Sequence, residues 1–156
     1  MRDDVRKIYE ENKDIYFGLL VPQDNENQPR DHYVYEWFIV ESNKVFYVGK
    51  GTRDRYKHIL KEIETFENNP RKYKGEKYKL LKDEFTIDCR FIMEDLTDEE
   101  SQITESFFIV QRLLDNQPLL QHIIPWESGG LTEDHYNRWL DVNYCKDERE
   151  FLDFFR

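Results

Sequence analysis

The stretch from His32 to His58, HYVYEWFIVESNKVFYVGKGTRDRYKH, constrains the fold of this chain more than any other. It contains two runs rich in aromatic and β-branched residues, about 32–40 and 44–48, which are separated by the turn-like sequence ESNK. Such runs joined by a short polar turn predict a β-hairpin. The second run ends in GKG and leads into a basic segment with helical spacing. A hairpin followed by a basic helix places aromatic hydroxyls and cations on one surface, which suits a phosphodiester.

The remainder of the chain adds helices and one further strand. A capping box, Thr97 with Glu100 three residues later, marks one helix start. From apolar spacing, caps and helix breakers we predict helices over 3–17, 53–67, 72–82, 97–114 and 132–142, and a third strand over 86–93. Three strands with several helices and no βαβ repeat predict a small α+β domain.

The length of 156 residues suits one domain with a real core. The polar linker from Pro22 to Arg30 separates an N-terminal appendage from the rest. We therefore expect an N-terminal helix and linker over 1–30, a core over 31–130 and a C-terminal helical extension over 131–156. The aromatic end, FLDFF, is expected to pack back on the core.

Charge is distributed unevenly along the chain. The net charge of −10 argues against nucleic acid, because phosphate binding depends on Lys and Arg. Between Lys44 and Lys82, however, twelve Lys and Arg residues outnumber five Asp and Glu residues, which gives +7 there and −17 elsewhere. An acidic molecule can still have one basic face, because salt screens the electrostatic potential of exposed charges beyond a Debye length of ~8 Å. The alternative is a solvated face of i,i+4 ion pairs.

Several classes of protein are excluded by composition. No run approaches the ~20 apolar residues of a membrane span, and the N-terminus lacks the apolar region of a signal peptide. Cys89 and Cys145 lack the spacing of a zinc site, so reduced thiols in a cytoplasmic, intracellular setting are expected.

Two short motifs carry a family resemblance. The runs Tyr33-Val34-Tyr35 and Tyr47-Val48-Gly49-Lys50-Gly51, followed by Arg55 and His58 and later by Glu105, resemble the GIY-YIG nuclease family, and in particular its YVGKG subgroup. The order and spacing of these motifs make the match specific, although each is weak alone. The resemblance implies a three-stranded antiparallel sheet flanked by helices. It also implies one-metal hydrolysis of DNA phosphodiesters, with Mg²⁺ or Mn²⁺ as cofactor and DNA as partner.

The resemblance implies that Tyr35 or Tyr47 activates or orients the attacking water. A phenol of pKa ~10 is a poor base at neutral pH unless cations lower its pKa. Lys50 and Arg55 are the cations that could do so. The alternative is that the tyrosines only pack, because Tyr is a favoured strand residue.

Arg55 and His58 are three residues apart and share a helical face. The Arg55 fork can hold two phosphate oxygens and offset charge at the pentavalent phosphorus. His58 could bind phosphate or protonate the leaving oxygen, or it could be a solvated surface side chain.

Glu105 is the candidate metal ligand. On a helical wheel it lies between Phe108 and Ile109, away from the capping acids, so we expect partial shielding. A shielded carboxylate needs a cation, and one Mg²⁺ with waters and phosphate would supply it. A solvated helix face is the alternative.

Further cations and an amide complete the expected site. The family has an Asn beyond the Glu helix; here Gln121 stands near that place, and Asn116 is an offset alternative. Sequence-independent contacts with the DNA backbone are expected from Arg53, Lys57, Lys72, Lys74 and Lys77.

The expected function is a divalent-metal-dependent DNA endonuclease. The alternatives are a catalytically inactive nucleic-acid-binding module of the same fold and an acidic protein-interaction factor. No zinc finger or helix-turn-helix signature indicates which DNA would be chosen. Cutting both strands would require a homodimer or sequential action.

Overall fold

The computed structural model describes residues 28–71, 75–124 and 130–156. The predicted helix over 3–17 and most of the predicted linker lie outside these residues, as do Lys72 and Lys74.

Three strands form one antiparallel sheet, which is flanked by helices. The strands are β1 (His32–Ile39), β2 (Val45–Gly51) and β3 (Ile87–Leu96), in the order β2-β1-β3. Asn43 allows the tight β1–β2 turn because it adopts φ of 58°, a left-handed conformation that Asn tolerates. The α+β class with a three-stranded antiparallel sheet is therefore confirmed, and β3 extends three residues beyond the predicted end.

Five α-helices surround the sheet in the described part of the chain. A 3₁₀ turn at Arg55–Lys57 precedes the first of them. The helices are α1 (His58–Asn68), α2 (Glu76–Glu84), α3 (Asp98–Leu114), α4 (Glu133–Asn143) and α5 (Glu148–Asp153).

The predicted helix starts were accurate only where a cap defines them. Thr97 Oγ1 accepts from the Glu100 N–H at 3.2 Å, and Glu100 Oε1 accepts from the Thr97 N–H at 3.0 Å, so the capping box is confirmed. The prediction of a helix from residue 53 was wrong by five residues. Arg53 has φ of 50°, which no right-handed helix contains, and the next turn is 3₁₀.

A β-bulge brings an extra aromatic side chain to the face of the sheet that carries the tyrosines. Trp37 pairs with Tyr47 and Phe38 with Val45, so Phe46 is an extra residue in β2. Strict alternation would place Phe46 and Tyr47 on opposite faces of the sheet. Because of the bulge, both pack with the same core cluster, beside Tyr35.

A buried ion-pair group fastens the sheet to α3. Glu36 in β1 is 1 % exposed. Its carboxylate accepts from Arg90 Nε in β3 at 2.6 Å and from Arg112 Nε in α3 at 2.8 Å. The helix that carries Glu105 is thereby tied to the central strand.

The C-terminal segment packs on the core, as the sequence predicted. Phe151 and Phe155 are buried against the face of the sheet that contains Phe46. The hydroxyl of Ser42 donates to the Phe155 carbonyl at 2.7 Å, and Lys44 Nζ donates to the Phe154 carbonyl at 3.1 Å. In the described ranges, no helix combines the length and apolarity needed to cross a membrane.

Candidate active site

The two predicted tyrosines meet at the end of the hairpin. Tyr35 in β1 is 1 % exposed and Tyr47 in β2 is partly buried, with 6.3 Å between their ring centroids. Gly49 leaves room for both rings. A Cβ on Gly49 would lie 2.5 Å from the Tyr35 hydroxyl oxygen and 2.8 Å from Cε1 of Tyr47, so only glycine fits without a shift.

His58 joins the tyrosines from the first residue of α1. Its Nδ1 lies 3.0 Å from the Tyr35 hydroxyl oxygen, and its ring centroid lies 4.8 Å from that of Tyr47. His58 is 8 % exposed, so the alternative of a solvated surface histidine was wrong. In the tautomer with its proton on Nε2, the His58 ring accepts the Tyr35 hydrogen bond.

All three of these groups are electrically neutral at neutral pH. Burial, followed by the effect of Tyr47, raises the pKa of Tyr35. Burial and then the Glu105 carboxylate raise the pKa of Tyr47 to about 12. Burial and then the Arg55 charge lower the pKa of His58 to about 4. The Arg55 charge acts to lower both phenol pKa values, but desolvation outweighs it, so the net shift of each is upward.

Arg55 stands among the other site residues at the start of the 3₁₀ turn. Its side chain lies against Gly51, where a Cβ would collide with the Arg55 Cβ and Cγ. The Arg55 charge lowers the pKa of four neighbours: Tyr35, Tyr47, His58 and Glu105. The two glycines of the GKG sequence therefore have separate roles, since Gly49 admits the phenols and Gly51 admits the arginine.

Two β1 side chains hold the segment that carries Arg55. The Tyr33 hydroxyl donates to the Arg53 carbonyl at 2.7 Å and accepts from the Tyr56 N–H at 3.0 Å. Trp37 Nε1 donates to the Tyr56 carbonyl at 2.9 Å. Sequence reasoning gave neither Tyr33 nor Trp37 a role. Their partners are 19 to 23 residues away, so local spacing carries no signal for these bonds.

Glu105 reaches the same place from α3. Its carboxyl is partly buried, and burial raises its pKa to about 7 against the opposing effects of the Lys50 charge, the Lys50 backbone N–H and Arg55. The predicted partial shielding is therefore confirmed. Lys50 also lies near Asp98, with 3.5 Å between Nζ and Oδ1.

The donor set around Glu105 fits one mode of metal binding. Within residues 28–71, 75–124 and 130–156, no group of three His, Cys, Asp or Glu side chains could form a protein cage for a metal. Mg²⁺ commonly keeps several waters and binds through one or two carboxylates plus substrate phosphate. A single shielded carboxylate such as Glu105, with Lys50 and Arg55 nearby, fits that mode.

Gln121 occupies the edge of β2 rather than the centre of the cluster. Its Oε1 accepts from the Val48 N–H at 2.6 Å, and its side chain is buried. The next residue back, Leu120, donates its N–H to the Phe46 carbonyl at 2.7 Å. Gln121 thus covers a strand edge that would otherwise be unpaired. Asn116 lies just beyond the end of α3 with φ of 56°.

The outer cations differ in their surroundings. Arg53 is exposed, and Lys57 is half exposed with Nζ 3.9 Å from Asp54. Lys77 donates to the Val142 and Asn143 carbonyls at the end of α4, and burial lowers its pKa. The ammonium group of Lys77 is therefore occupied within the fold.

The fold and the cluster define a small α+β protein with two tyrosines, a histidine, an arginine and a glutamate gathered at one sheet edge. Comparisons of the chain with protein-family models, with curated proteins and with solved structures find no match.

Proposed function

We propose that this chain is a divalent-metal-dependent DNA endonuclease with a GIY-YIG-like fold and site. The supporting observation is convergence. Five side chains that the sequence motifs singled out meet at one place, although they come from five different elements. They are Tyr35 in β1, Tyr47 in β2, Arg55 in the 3₁₀ turn, His58 in α1 and Glu105 in α3. Their charges and burial shift one another's pKa values. Packing alone gives no reason for a carboxylate, a guanidinium and a buried imidazole to gather around two phenols.

The neutral phenols and the imidazole are proposed to hold the attacking water and to accept its proton. A water held by the Tyr35 hydroxyl can pass a proton to that oxygen while Tyr35 passes its own proton to His58 Nδ1, 3.0 Å away. The oxygen of the water then bonds to phosphorus. Tyr47 contacts both of these residues and fixes the hydroxyl group that faces the water. No phenolate is needed at neutral pH in this scheme.

The cations and Glu105 are proposed to bind the phosphate and to stabilise the charge that develops on it. Arg55 donates two hydrogen bonds to phosphate oxygens, whose charge grows as the pentavalent phosphorus forms. Lys50 adds a second positive charge close to Glu105. Glu105 would hold Mg²⁺ or Mn²⁺, which when bound supplies charge to the phosphate and the leaving oxygen. The 3′-side or 5′-side oxygen then leaves with the electron pair of the broken P–O bond.

The exposed cations next to the cluster are proposed to hold the DNA backbone. Arg53 and Lys57 flank Arg55 in the chain and are exposed. Lys72 and Lys74, outside the described residues, belong to the same basic stretch of sequence. Because such contacts release counterions, cleavage should fall steeply with added salt, and a flat response would count against phosphate-driven docking.

The proposal is tested by incubating the protein with plasmid, linear, single-stranded and branched DNA in Mg²⁺ or Mn²⁺. Glu105→Ala should abolish cutting. Glu99→Ala is the matched control, because Glu99 is an exposed carboxylate on the same helix. Cutting by wild type and the control alone supports the nuclease. If both Glu variants cut like wild type, the assignment fails; if DNA is bound and never cut, an inactive binding module is the better account.

A further inference from the structure

A pocket of about 380 Å³ opens beside the proposed catalytic cluster. It lies between α2, α4 and the segment that covers the edge of β2. Its walls include the rings of Tyr78, Trp139 and Tyr144 and the side chains of Gln121 and His122. This volume is within the range of small-molecule sites, roughly 300–1,000 Å³.

The pocket is joined to the cluster through shared side chains. The Tyr78 ring centroid lies 6.5 Å from that of Tyr47, at an interplanar angle of 88°. Gln121, on the pocket wall, holds the Val48 N–H of the strand that carries Tyr47. His122, also on the wall, is close enough to act electrostatically on His58. A ligand in the pocket would therefore be separated from Tyr47 of the cluster by the Tyr78 ring alone.

The lining favours a neutral, planar group over a second phosphate. The Lys77 ammonium on the pocket wall is already bound by two backbone carbonyls, and Glu76 adds negative charge. Trp139 and Tyr144 are arranged edge to face with ring centroids 6.3 Å apart, and Tyr144 is 62 % exposed at the surface. Aromatic rings without an available cation suit a stacked heterocycle.

Gln121 adds a directional hydrogen-bond donor. Its side chain is 6 % exposed, and its Oε1 is occupied by Val48. Within the described parts of the chain, no hydrogen bond uses Nε2 of Gln121, although buried amide groups are normally paired. A ring carbonyl or ring nitrogen of a heterocycle would satisfy this NH₂ group.

We infer that this pocket receives an unpaired nucleobase next to the phosphodiester that is cut. The inference rests on the proposed nuclease function and extends it to the conformation of the substrate. The base leaves its stack and enters the pocket while the adjoining phosphate meets Arg55. Single-stranded, mismatched or distorted DNA is then preferred to a regular duplex, because its bases are already free or are freed at lower cost.

The test uses Tyr144→Ala, because Tyr144 is 62 % exposed and its truncation removes little buried surface. Affinity is measured without metal for a single-stranded oligonucleotide and for copies carrying one abasic residue, moved stepwise across the sequence. Tyr144→Ala should weaken binding of the intact strand by about 5- to 150-fold, as expected for one stacked base. Tyr144→Phe should bind like wild type, and Leu60→Ala, exposed on α1, is the matched control.

One abasic position should remove the difference between wild type and Tyr144→Ala, because the base that stacks is then missing. If Tyr144→Ala weakens every abasic strand equally, or weakens none, the inference is overturned. Cutting of the oligonucleotide by wild type in Mg²⁺ is measured in parallel. Cutting without a Tyr144 effect rejects the pocket and keeps the nuclease. A base-dependent Tyr144 effect without cutting keeps the pocket and rejects the nuclease.

Discussion

Two titratable side chains of the site respond to burial in opposite ways. His58 has a pKa lowered from 6.5 to about 4, chiefly by burial, so it is neutral in the folded chain at neutral pH. Glu105 has a pKa raised from 4.5 to about 7, again chiefly by burial, so in the folded chain it titrates near neutral pH. Between pH 4.5 and 6.5, the folded site holds a proton on Glu105, whereas the unfolded chain holds one on His58.

These shifts predict opposing contributions to the pH dependence of stability. Below pH 6.5 the unfolded chain binds a proton at His58 that the folded chain does not, so this contribution is lost as pH falls towards 4. Above pH 4.5 the folded chain retains a proton at Glu105 that the unfolded chain has lost, so this contribution is lost as pH rises towards 7.

Replacing each group should remove its own contribution. In EDTA, the free energy of unfolding of His58→Gln, relative to wild type, should fall as pH rises from 4 to 6.5. That of Glu105→Gln, relative to wild type, should fall as pH drops from 7 to 4.5. Each slope is at most ~1.4 kcal/mol per pH unit for one proton. Urea unfolding across this pH range measures both, and two curves parallel to that of wild type would contradict the assigned shifts.

Tyr33 is expected to position Arg55 through the backbone around it. Tyr33→Phe keeps the ring that stacks on Phe91 at 4.4 Å, but it removes the hydroxyl bonded to the Arg53 carbonyl and the Tyr56 N–H. We expect a loss of about 1–3 kcal/mol in unfolding free energy, because partly buried backbone groups lose partners. DNA cleavage should fall as well.

The control for this substitution is Tyr56→Phe. The Tyr56 hydroxyl makes no hydrogen bond with any residue in the described ranges, so its removal should change neither property. Equal effects of Tyr33→Phe and Tyr56→Phe would mean that the Tyr33 hydroxyl does not position the segment.

At the scale of elements, β2 shows why a GKG sequence ends the hairpin. A Cβ at Gly49 would lie 2.5 Å from the Tyr35 hydroxyl oxygen, whereas one at Gly51 would meet the Arg55 side chain. Gly49→Ala should therefore displace the phenols and destabilise the protein by about 1–3 kcal/mol, as overpacking does. Gly51→Ala should displace Arg55 together with the start of the 3₁₀ turn, because the added Cβ would meet the Cβ and Cγ of Arg55.

Near-ultraviolet circular dichroism separates the two glycine substitutions. Gly49→Ala should change the tyrosine signal together with stability, whereas Gly51→Ala should leave the signal unchanged and reduce DNA binding. A Gly49→Ala protein with wild-type stability and spectrum would show that the close approach of Tyr35 to β2 is not required.

The attachment of α3 to the sheet depends on the buried Glu36 carboxylate. Arg112→Met should remove one of its two arginine partners and leave a charge that is 1 % exposed under-compensated. We expect a loss of about 3 kcal/mol, at the low end for broken buried pairs, because Arg90 remains. Equilibrium unfolding in guanidinium chloride measures this loss of unfolding free energy.

The matched control is Lys79→Met, which breaks a surface pair with Asp83 at 2.9 Å. Exposed pairs contribute little because solvent screens their charges, so this variant should stay near wild type. If Arg112→Met and Lys79→Met lose equal stability, the Glu36 group does not hold α3 on the sheet.

For the whole molecule, the features that sequence predicted are those with local causes. The hairpin, the third strand and the Thr97 capping box follow from side chains close together in the chain, and each is present. The helix start at His58 was misplaced because the left-handed Arg53 has no sequence marker. The α5 helix was missed because its six residues are too few for a periodic pattern.

In the site, too, features with local causes were predicted and features that depend on tertiary packing were not. Motif spacing placed Tyr35, Tyr47 and His58 together, and the structure brings them into contact. Sequence reasoning could not give the net direction of the phenol pKa shifts, because burial is a property of the packed molecule. The bulge at Phe46, which brings Phe46 to the same face as Tyr47, depends on strand pairing and could not be read from the alternation of β2 alone.

The central claim is that Arg55 and Glu105 act on one phosphate as a unit. The most direct measurement is the single-turnover rate of DNA cleavage in Mg²⁺ for wild type, Arg55→Ala, Glu105→Ala and the double variant. Groups that act as a unit are strongly non-additive, so the double variant should be no slower than the slower single variant. Single variants that cut at the wild-type rate, or effects that multiply in the double variant, would contradict a shared site.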